Sequence, residues 1–274
     1  FYKFIMTYSI NNKYQQHPYH IVDPSPWPFF TALGSLFTVL GLALYLHFFK
    51  VGSILFPLGL LFLITCMCLW WKDVIREATF EGNHTSYVRR GLAGGMILFI
   101  VSELMLFITF FWGFFHASLS PVPELGSVWP PVGIQAINPF HVPLLNTFVL
   151  INSGAFVTWA HYNLLAGSHW KTSVALKYTI WLAIFFTLLQ AFEYHAAPFN
   201  ISDGIYGTVF YMTTGLHGFH VIIGTLFLTV CWIRLKKHHF TKKHHLGFEC
   251  AIWYWHFVDI VWIFVYLFIY WWGF

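Results

Sequence analysis

Charged residues are scarce in this sequence. Lys, Arg, Asp and Glu make up only 9% of its 274 residues, whereas about 25% is usual in soluble domains. Hydrophobic residues make up 58% and fall in long runs. Because a soluble protein of this length needs many more charges on its surface, the composition excludes that class and predicts a polytopic membrane protein.

The sequence also lacks the short motifs that mark common enzymes. It contains no Walker phosphate loop, no dinucleotide-binding glycine motif and no nucleophile elbow. Its four cysteines include no C-x-x-C pair, which is the spacing typical of redox and zinc sites. We therefore expect no catalytic residue, no metal site and no nucleic-acid partner on this chain.

Long apolar runs are what the sequence does contain, and we count seven that are long enough to cross a bilayer, for which about 20 residues suffice. The predicted fold is therefore an all-α bundle of seven transmembrane helices. Residues 1–26 form a polar and aromatic arm, residues 27–71 hold the first two helices, residues 72–90 form a charged loop, and residues 91–274 hold the other five. The predicted spans are Trp27–Phe49, Ile54–Trp71, Gly91–Ser118, Val142–Leu165, Val174–Ala197, Ile205–Ile233 and Phe248–Trp272. The proline-rich segment after the third span has no room for a helix and is expected to cap one end of the bundle.

The distribution of positive charge supports seven spans. With this count, the N-terminus and every second loop lie on one side, which then holds all Lys and Arg residues except Lys50. The positive-inside rule places that side, and with it the N-terminus, in the cytoplasm or the mitochondrial matrix. The residues on the positive side are Lys3, Lys13, Lys72, Arg76, Arg89, Arg90, Lys171, Lys177, Arg234, Lys236, Lys237, Lys242 and Lys243.

One acidic residue, Glu103, lies in the middle of the third span. A charged side chain at that depth costs roughly 2.5–3.5 kcal/mol on insertion scales, so a neighbour, a water molecule or protonation must offset the cost. Glu103 is therefore expected to face protein or water. Its role is either functional or that of a neutral carboxyl group hydrogen-bonded to a facing helix.

Two histidines and two further acids also lie within the spans. His217 and His220 share one face of the sixth span, where they either ligate a haem or metal or form hydrogen bonds to neighbouring helices. Glu193 and Asp259 either take part in a proton relay or form hydrogen bonds between helices. No two histidines in one span have the wide separation used by cytochrome-b-type haem bundles.

Aromatic and charged residues cluster just beyond the second span. Trp70, Trp71, Lys72, Arg76 and His84 lie on the positive side, at a depth that suits the phosphate groups of phospholipids. The alternative is a plain interfacial belt with solvated charges.

Several long segments, in the same order along the chain, resemble the cytochrome c oxidase subunit III family of the mitochondrial type. The resemblance covers nearly everything from His17 to Phe274. The segments that carry it are HPYHIVDPSPWP (17–28), WWKDVIREATFEGNHT (70–85), GMILFIVSELMLF (95–107), PELGSVWPP (123–131), VPLLNT (142–147), APFNISDGIYG (197–207), GLHGFHVIIGTLFL (215–228) and the C-terminal HHLGFECAIWYWHFVDIVWIFVYLFIYWWG.

The resemblance implies a fold and a role. Members of this family have seven helices, with the first two splayed from the other five to leave a cleft that phospholipid fills. They are accessory subunits of cytochrome c oxidase in the mitochondrial inner membrane, with the N-terminus in the matrix. They bind no redox centre, since haem a and copper belong to subunits I and II. They stabilise subunit I and support proton uptake by this proton-pumping enzyme. Smaller accessory subunits and a respiratory supercomplex are further implied partners.

The resemblance also assigns roles to individual residues. The intramembrane carboxylate of the family falls on Glu103. The lipid-binding residues fall on Trp71, Arg76, Glu77 and His84, with Arg234 and Lys237 at a second lipid site. The sequence departs from the family at Asn83, where His is common, and at Lys72, where Arg is common. Because Lys cannot make the bidentate phosphate contact of Arg, we do not assign Lys72 to the lipid site.

Two other functions remain open at this point. An autonomous membrane transporter could use the intramembrane carboxylates, although the sequence shows neither the internal repeats nor the interrupted helices that are usual in transporters. A haem-b electron carrier is disfavoured by the histidine spacing. Purification distinguishes the three, because a transporter or a haem protein would be active or coloured alone, whereas an accessory subunit would co-purify with haem-containing polypeptides.

Overall fold

The computed structural model describes residues 16–274, and all regular secondary structure in that part of the chain is helical. Seven of the helices are long and apolar enough to cross a membrane, which confirms the predicted seven-helix fold. They are α1 (Trp27–Leu46), α2 (Gly52–Thr79), α3 (Ser86–Leu119), α4 (Val142–Ala166), α5 (His169–Ala196), α6 (Gly204–Lys236) and α7 (Leu246–Val265), which continues as a π-helical segment, Tyr266–Trp272. The predicted N-terminal arm lies outside the described residues up to position 15.

Helices α2 and α3 extend into the segment predicted as a charged loop between them. Helix α2 continues to Thr79 and α3 begins at Ser86, so much of the segment predicted as a charged loop is helical. Hydropathy marks only the part of a helix that lies in hydrocarbon. Charged residues such as Lys72 and Arg76 are themselves good helix formers, so the helix continues into the interfacial region.

The proline-rich segment after α3 was predicted to hold no helix, and this was wrong for one short turn. Residues Pro123–Leu125 form a 3₁₀-helix, which ends at Gly126 in the left-handed conformation with φ of 89°. Three residues suffice for such a turn, which is why the prediction of helix length missed it. The indole of Trp129 packs against Phe114 of α3 and Tyr206 of α6, at centroid distances of 5.6 and 5.3 Å. The segment therefore caps one end of these helices, as expected.

The chain forms two compact units, and the first ends at residue 92. In this unit α1 and α2 form an antiparallel pair whose contact surface is made by glycine. A Cβ atom on Gly41 would lie 2.5 Å from the backbone nitrogen of Phe56, and one on Gly59 would lie 2.8 Å from the backbone of Phe37. The two backbones therefore approach as closely as small residues allow, which favours dispersion contacts within a membrane.

The second unit begins at residue 93 and holds most of the buried side chains. Helix α4 packs along α5, α6 packs against α5 and α7, and α7 also contacts α4. Two buried tryptophans of α7 donate hydrogen bonds to α4: Trp255 Nε1 to Ser153 Oγ and Trp262 Nε1 to Thr147 Oγ1, both at 3.0 Å. Each tryptophan fills the core and satisfies its N–H group at the same time.

We predict that Gly41→Ala destabilises the first unit. The new methyl group would lie 2.5 Å from the backbone of α2, so the helices must separate, at a cost of about 1–3 kcal/mol. The midpoint of thermal unfolding in mild detergent measures the effect. The control is Gly91→Ala in the same unit, because no atom beyond its own stretch of helix lies within 4 Å of a Cβ at Gly91. Equal midpoints for the two variants would contradict the proposed glycine contact.

Candidate functional site

Glu103 of α3 faces α6. Its Oε2 atom lies 2.6 Å from Nε2 of His220, and the Glu103 side chain is 21% exposed. The expectation that this carboxyl group faces protein or water is therefore confirmed, since its partner is the imidazole of a buried histidine. Apart from the pair itself, the surroundings are aromatic, with the rings of Phe107 and Tyr254 at centroid distances of 5.0 and 6.4 Å from that of His220.

The second ring nitrogen of His220 determines how many protons the pair holds. Nδ1 lies 2.7 Å from the carbonyl oxygen of Leu216. Since a carbonyl oxygen only accepts, Nδ1 carries a proton and donates it. The 2.6 Å contact then needs one further proton, either on His220 Nε2 or on Glu103. Both arrangements have zero net charge, so the pair removes the cost of an isolated charge in the membrane.

His217, one turn before His220 in α6, forms its hydrogen bond to a different helix. Its Nε2 donates a hydrogen bond to the carbonyl oxygen of Val258 in α7, at 3.1 Å, and the side chain is fully buried. The two histidines therefore connect α6 to two different helices. Of the two alternatives for His217 and His220, hydrogen bonding between helices describes the contacts of both. No signal in the sequence indicated which helix each would meet.

Glu193 belongs to a buried network that joins three segments of the second unit. The Tyr270 hydroxyl donates to Glu193 Oε1 at 2.5 Å, and Gln190 Nε2 donates to the Tyr270 oxygen at 3.0 Å. Asn146 of α4 donates to Gln190 Oε1 at 3.1 Å. The alternative of hydrogen bonding between helices is thus confirmed for Glu193. Tyr270 lies on the π-helical segment, and the network therefore holds this segment against α4 and α5.

Asp259, unlike Glu193, makes no hydrogen bond between helices among the described residues. Its Oδ1 is buried without a hydrogen-bond partner among residues 16–274. A Cβ atom at Gly154 of α4 would lie 2.7 Å from Oδ2, so the carboxyl group packs against the backbone at this glycine. The described contacts include no chain of hydrogen bonds from Asp259 to either of the other intramembrane acids.

Most of the residues assigned to lipid by resemblance lie in the first unit, near the end of α2. Trp71 is 59% exposed. The Arg76 side chain is 68% exposed, and its Nε donates to Glu81 Oε1 at 2.7 Å. Asn83 Nδ2 donates to the other oxygen of Glu81, at 3.1 Å. Because a guanidinium group has five N–H donors, the ion pair leaves its terminal nitrogens able to donate elsewhere.

The described part of the N-terminal arm lies against the same region. His20, Glu77 and His84 each place one ligand atom within 4.8 Å of the others, and His20 Nδ1 lies 4.0 Å from Glu77 Oε2. Thr85 Oγ1 donates to the carbonyl oxygen of Pro18 at 2.6 Å, which fixes the arm to the turn before α3. The structure thus brings Glu77 and His84 together with His20, which the sequence did not single out.

Arg234 and Lys237 lie at the end of α6 in the second unit. The Arg234 guanidinium lies 4.4 Å from the centre of the Phe240 ring, and Lys237 is exposed. Partial burial, together with the charges of Arg234 and Lys237, holds the pKa of His239 below its usual value. The two cations therefore create a positive potential on this surface, as an anionic headgroup would require.

Comparison with known proteins gives a consistent family. A model of the family described as cytochrome c oxidase subunit III matches residues 17–274. The chain is 56% identical to cytochrome c oxidase subunit 3 of Arabidopsis thaliana, over 94% of this chain and 98% of the relative. It is also 56% identical to the subunit of the same name from Formosania lacustris, over 95% of this chain and 99% of the relative. The corresponding protein of Prototheca wickerhamii is 54% identical.

We predict that Glu103→Gln is better tolerated than Glu103→Met. The amide of Gln can donate to His220 Nε2, whereas Met leaves that buried nitrogen without a partner, at a cost of about 1–3 kcal/mol. Thermal unfolding in mild detergent, with the two variants compared at equal expression, measures the difference. Equal destabilisation by Gln and Met would show that the hydrogen bond to His220 does not stabilise the fold.

Proposed function

Because the chain belongs to the cytochrome c oxidase subunit III family, we propose that it is a non-catalytic accessory subunit of respiratory complex IV. The match of the family model to residues 17–274 carries this conclusion. In the proposed assembly, haem a and copper lie in subunits I and II, which pass electrons from cytochrome c to oxygen and pump protons. This subunit packs against subunit I and stabilises it during turnover. Smaller accessory subunits and a respiratory supercomplex are the further partners of this assembly.

The state of the intramembrane acids supports an accessory role. Glu103 and His220 form a pair with no net charge, and Glu193 accepts a hydrogen bond from the Tyr270 hydroxyl. A transporter that used these acids would need a connected path along which a proton or ion could move. The contacts of Glu103 and Glu193 hold helices together, which is what a stabilising subunit requires.

Phospholipid is the ligand that we propose for the end of α2. Arg76 supplies N–H donors to the phosphate group, and the indole of Trp71 packs beside the glycerol backbone and upper acyl chains. Glu77 and His84 bind the hydroxyl or ammonium groups of the headgroup. Glu77 cannot bind the phosphate itself, because the two negative charges repel each other. The exposure of Arg76 and Trp71 supports this assignment.

We propose that Arg234 and Lys237 form a second lipid site, at the end of α6. Both would contact an anionic headgroup, and the depressed pKa of His239 is consistent with the positive potential that attracts one. By the positive-inside rule we expect this end of α6 to lie in the matrix, as the N-terminus does. From there the subunit is positioned to support proton uptake by subunit I.

Native electrophoresis tests the proposed assembly. We expect the chain from mild-detergent extracts to migrate in a band that oxidises cytochrome c, and mass spectrometry of that band to identify subunits I and II. Stripping the chain from its partners should leave it colourless. Migration alone, with an intact oxidase band that lacks this chain, would contradict the accessory role and favour a test of the chain for ion transport.

We predict that Arg76→Ala lowers the phospholipid content of the complex and shortens its working life. The variant removes the N–H groups that donate hydrogen bonds to the phosphate. Loss of the bound lipid should then loosen the contact with subunit I. Lipid mass spectrometry and the decay of activity during turnover measure the two effects.

Two variants control for other causes. Glu81→Gln breaks the ion pair of Arg76 but keeps the guanidinium, and Arg90→Ala removes an exposed cation elsewhere in the first unit. Both should retain the wild-type lipid content. If Arg76→Ala retains it as well, Arg76 does not hold phospholipid.

A further inference from the structure

A second group of potential ligands lies within the second unit, apart from the residues that the proposed function uses. His161 lies near the end of α4, His245 directly precedes α7, and Glu249 lies in the first turn of α7. Each residue offers one ligand atom, and the three atoms all lie within 4.8 Å of one another. Tertiary packing alone creates this group, because His161 is remote in sequence from the other two residues.

The imidazole of His245 is already oriented as metal-binding histidines usually are. Its Nδ1 donates to the carbonyl oxygen of Thr241 at 2.9 Å, and its Nε2 lies 3.1 Å from Glu249 Oε1. Histidine ligands of metals commonly donate one ring N–H to a backbone carbonyl, which fixes the tautomer and directs the other nitrogen at the metal. His245 is only 7% exposed, so this orientation is held by packing.

His161 provides an independent observation. Its Nε2 is buried and has no hydrogen-bond partner in the described part of the chain. The ring lies 5.5 Å from that of His245, at an interplanar angle of 64°. His245 Nε2, although it lies 3.1 Å from Glu249 Oε1, likewise makes no hydrogen bond within residues 16–274. A ligand that binds all three residues accounts for each of them.

We propose that His161, His245 and Glu249 form a binding site for a divalent transition-metal ion, with Zn²⁺ as the best chemical match. Two imidazoles and one carboxylate form an established Zn²⁺ ligand set, and a water molecule or another oxygen donor completes the coordination. The ion links the end of α4 to the start of α7. Arg234 lies against Gly247 at the start of α7, and Lys242 lies against Gly167 at the end of α4. Because these two cations oppose the binding of a further cation, the site depends on the negative charge of Glu249.

Zinc binding by the purified oxidase complex tests the proposal. The complex is treated with a chelator, titrated with Zn²⁺, and bound zinc is counted per complex by elemental mass spectrometry. The variants Glu249→Gln and His161→Asn should each bind one zinc fewer than wild type, or bind it with affinity weakened by about tenfold or more. Zinc should also raise the melting temperature of the wild-type complex but not of these variants.

A matched control lies next to the site. His244 is exposed and adjacent to His245, so His244→Ala removes an imidazole from the same loop and should keep the wild-type stoichiometry. Equal zinc binding by wild type and all three variants would overturn the proposal. The zinc K-edge spectrum of the wild-type complex decides the question even if a variant fails to assemble. After the contribution of other zinc sites is subtracted, the spectrum should show two imidazole nitrogens at about 2.0–2.1 Å from the zinc ion. The absence of these nitrogens would also overturn the proposal.

Discussion

The bilayer offers no water to the polar groups of a membrane-spanning helix, and this constraint explains the main polar contacts of the protein. Glu103 lies in the middle of α3 and would carry an isolated charge there. The contact with His220, whose other nitrogen is held by Leu216, leaves the pair with no net charge. The pair therefore satisfies the carboxyl group and, at the same time, joins α3 to α6.

The helices within the first unit and the helices within the second unit are held together by different contacts. Both kinds of contact follow from the apolar solvent of the bilayer. Between α1 and α2 the contact is made by glycines such as Gly41, so the attraction comes from close backbone packing. In the second unit, tryptophan N–H groups and the network around Glu193 and Tyr270 supply hydrogen bonds between helices. Lipid tails are as apolar as leucine, so hydrophobic burial alone distinguishes poorly between helix pairs. Small residues and polar groups therefore determine the pairing.

Much of the fold could be predicted because its signals are local. The length of an apolar run can be read directly from the sequence, which is why all seven helices were predicted. The uneven distribution of Lys and Arg supported this count. Helix ends were less predictable. Helix α2 continues to Thr79 because the backbone stays helical after the chain leaves the hydrocarbon, where hydropathy carries no information. The short 3₁₀ turn at Pro123–Leu125 was missed because three residues carry too little pattern.

The sequence by itself determined which residues cross the membrane and that Glu103 would need a partner, because both depend on the position of a residue within one apolar run. Only the tertiary structure decided that the partner is His220, 117 positions away along the chain, and that His217, one turn earlier, turns to Val258 instead. It likewise brought His161 to His245 and Glu249. Contacts between helices depend on how each helix is rotated about its axis. That rotation is set by the packing of all its neighbours together, which no single stretch of sequence records.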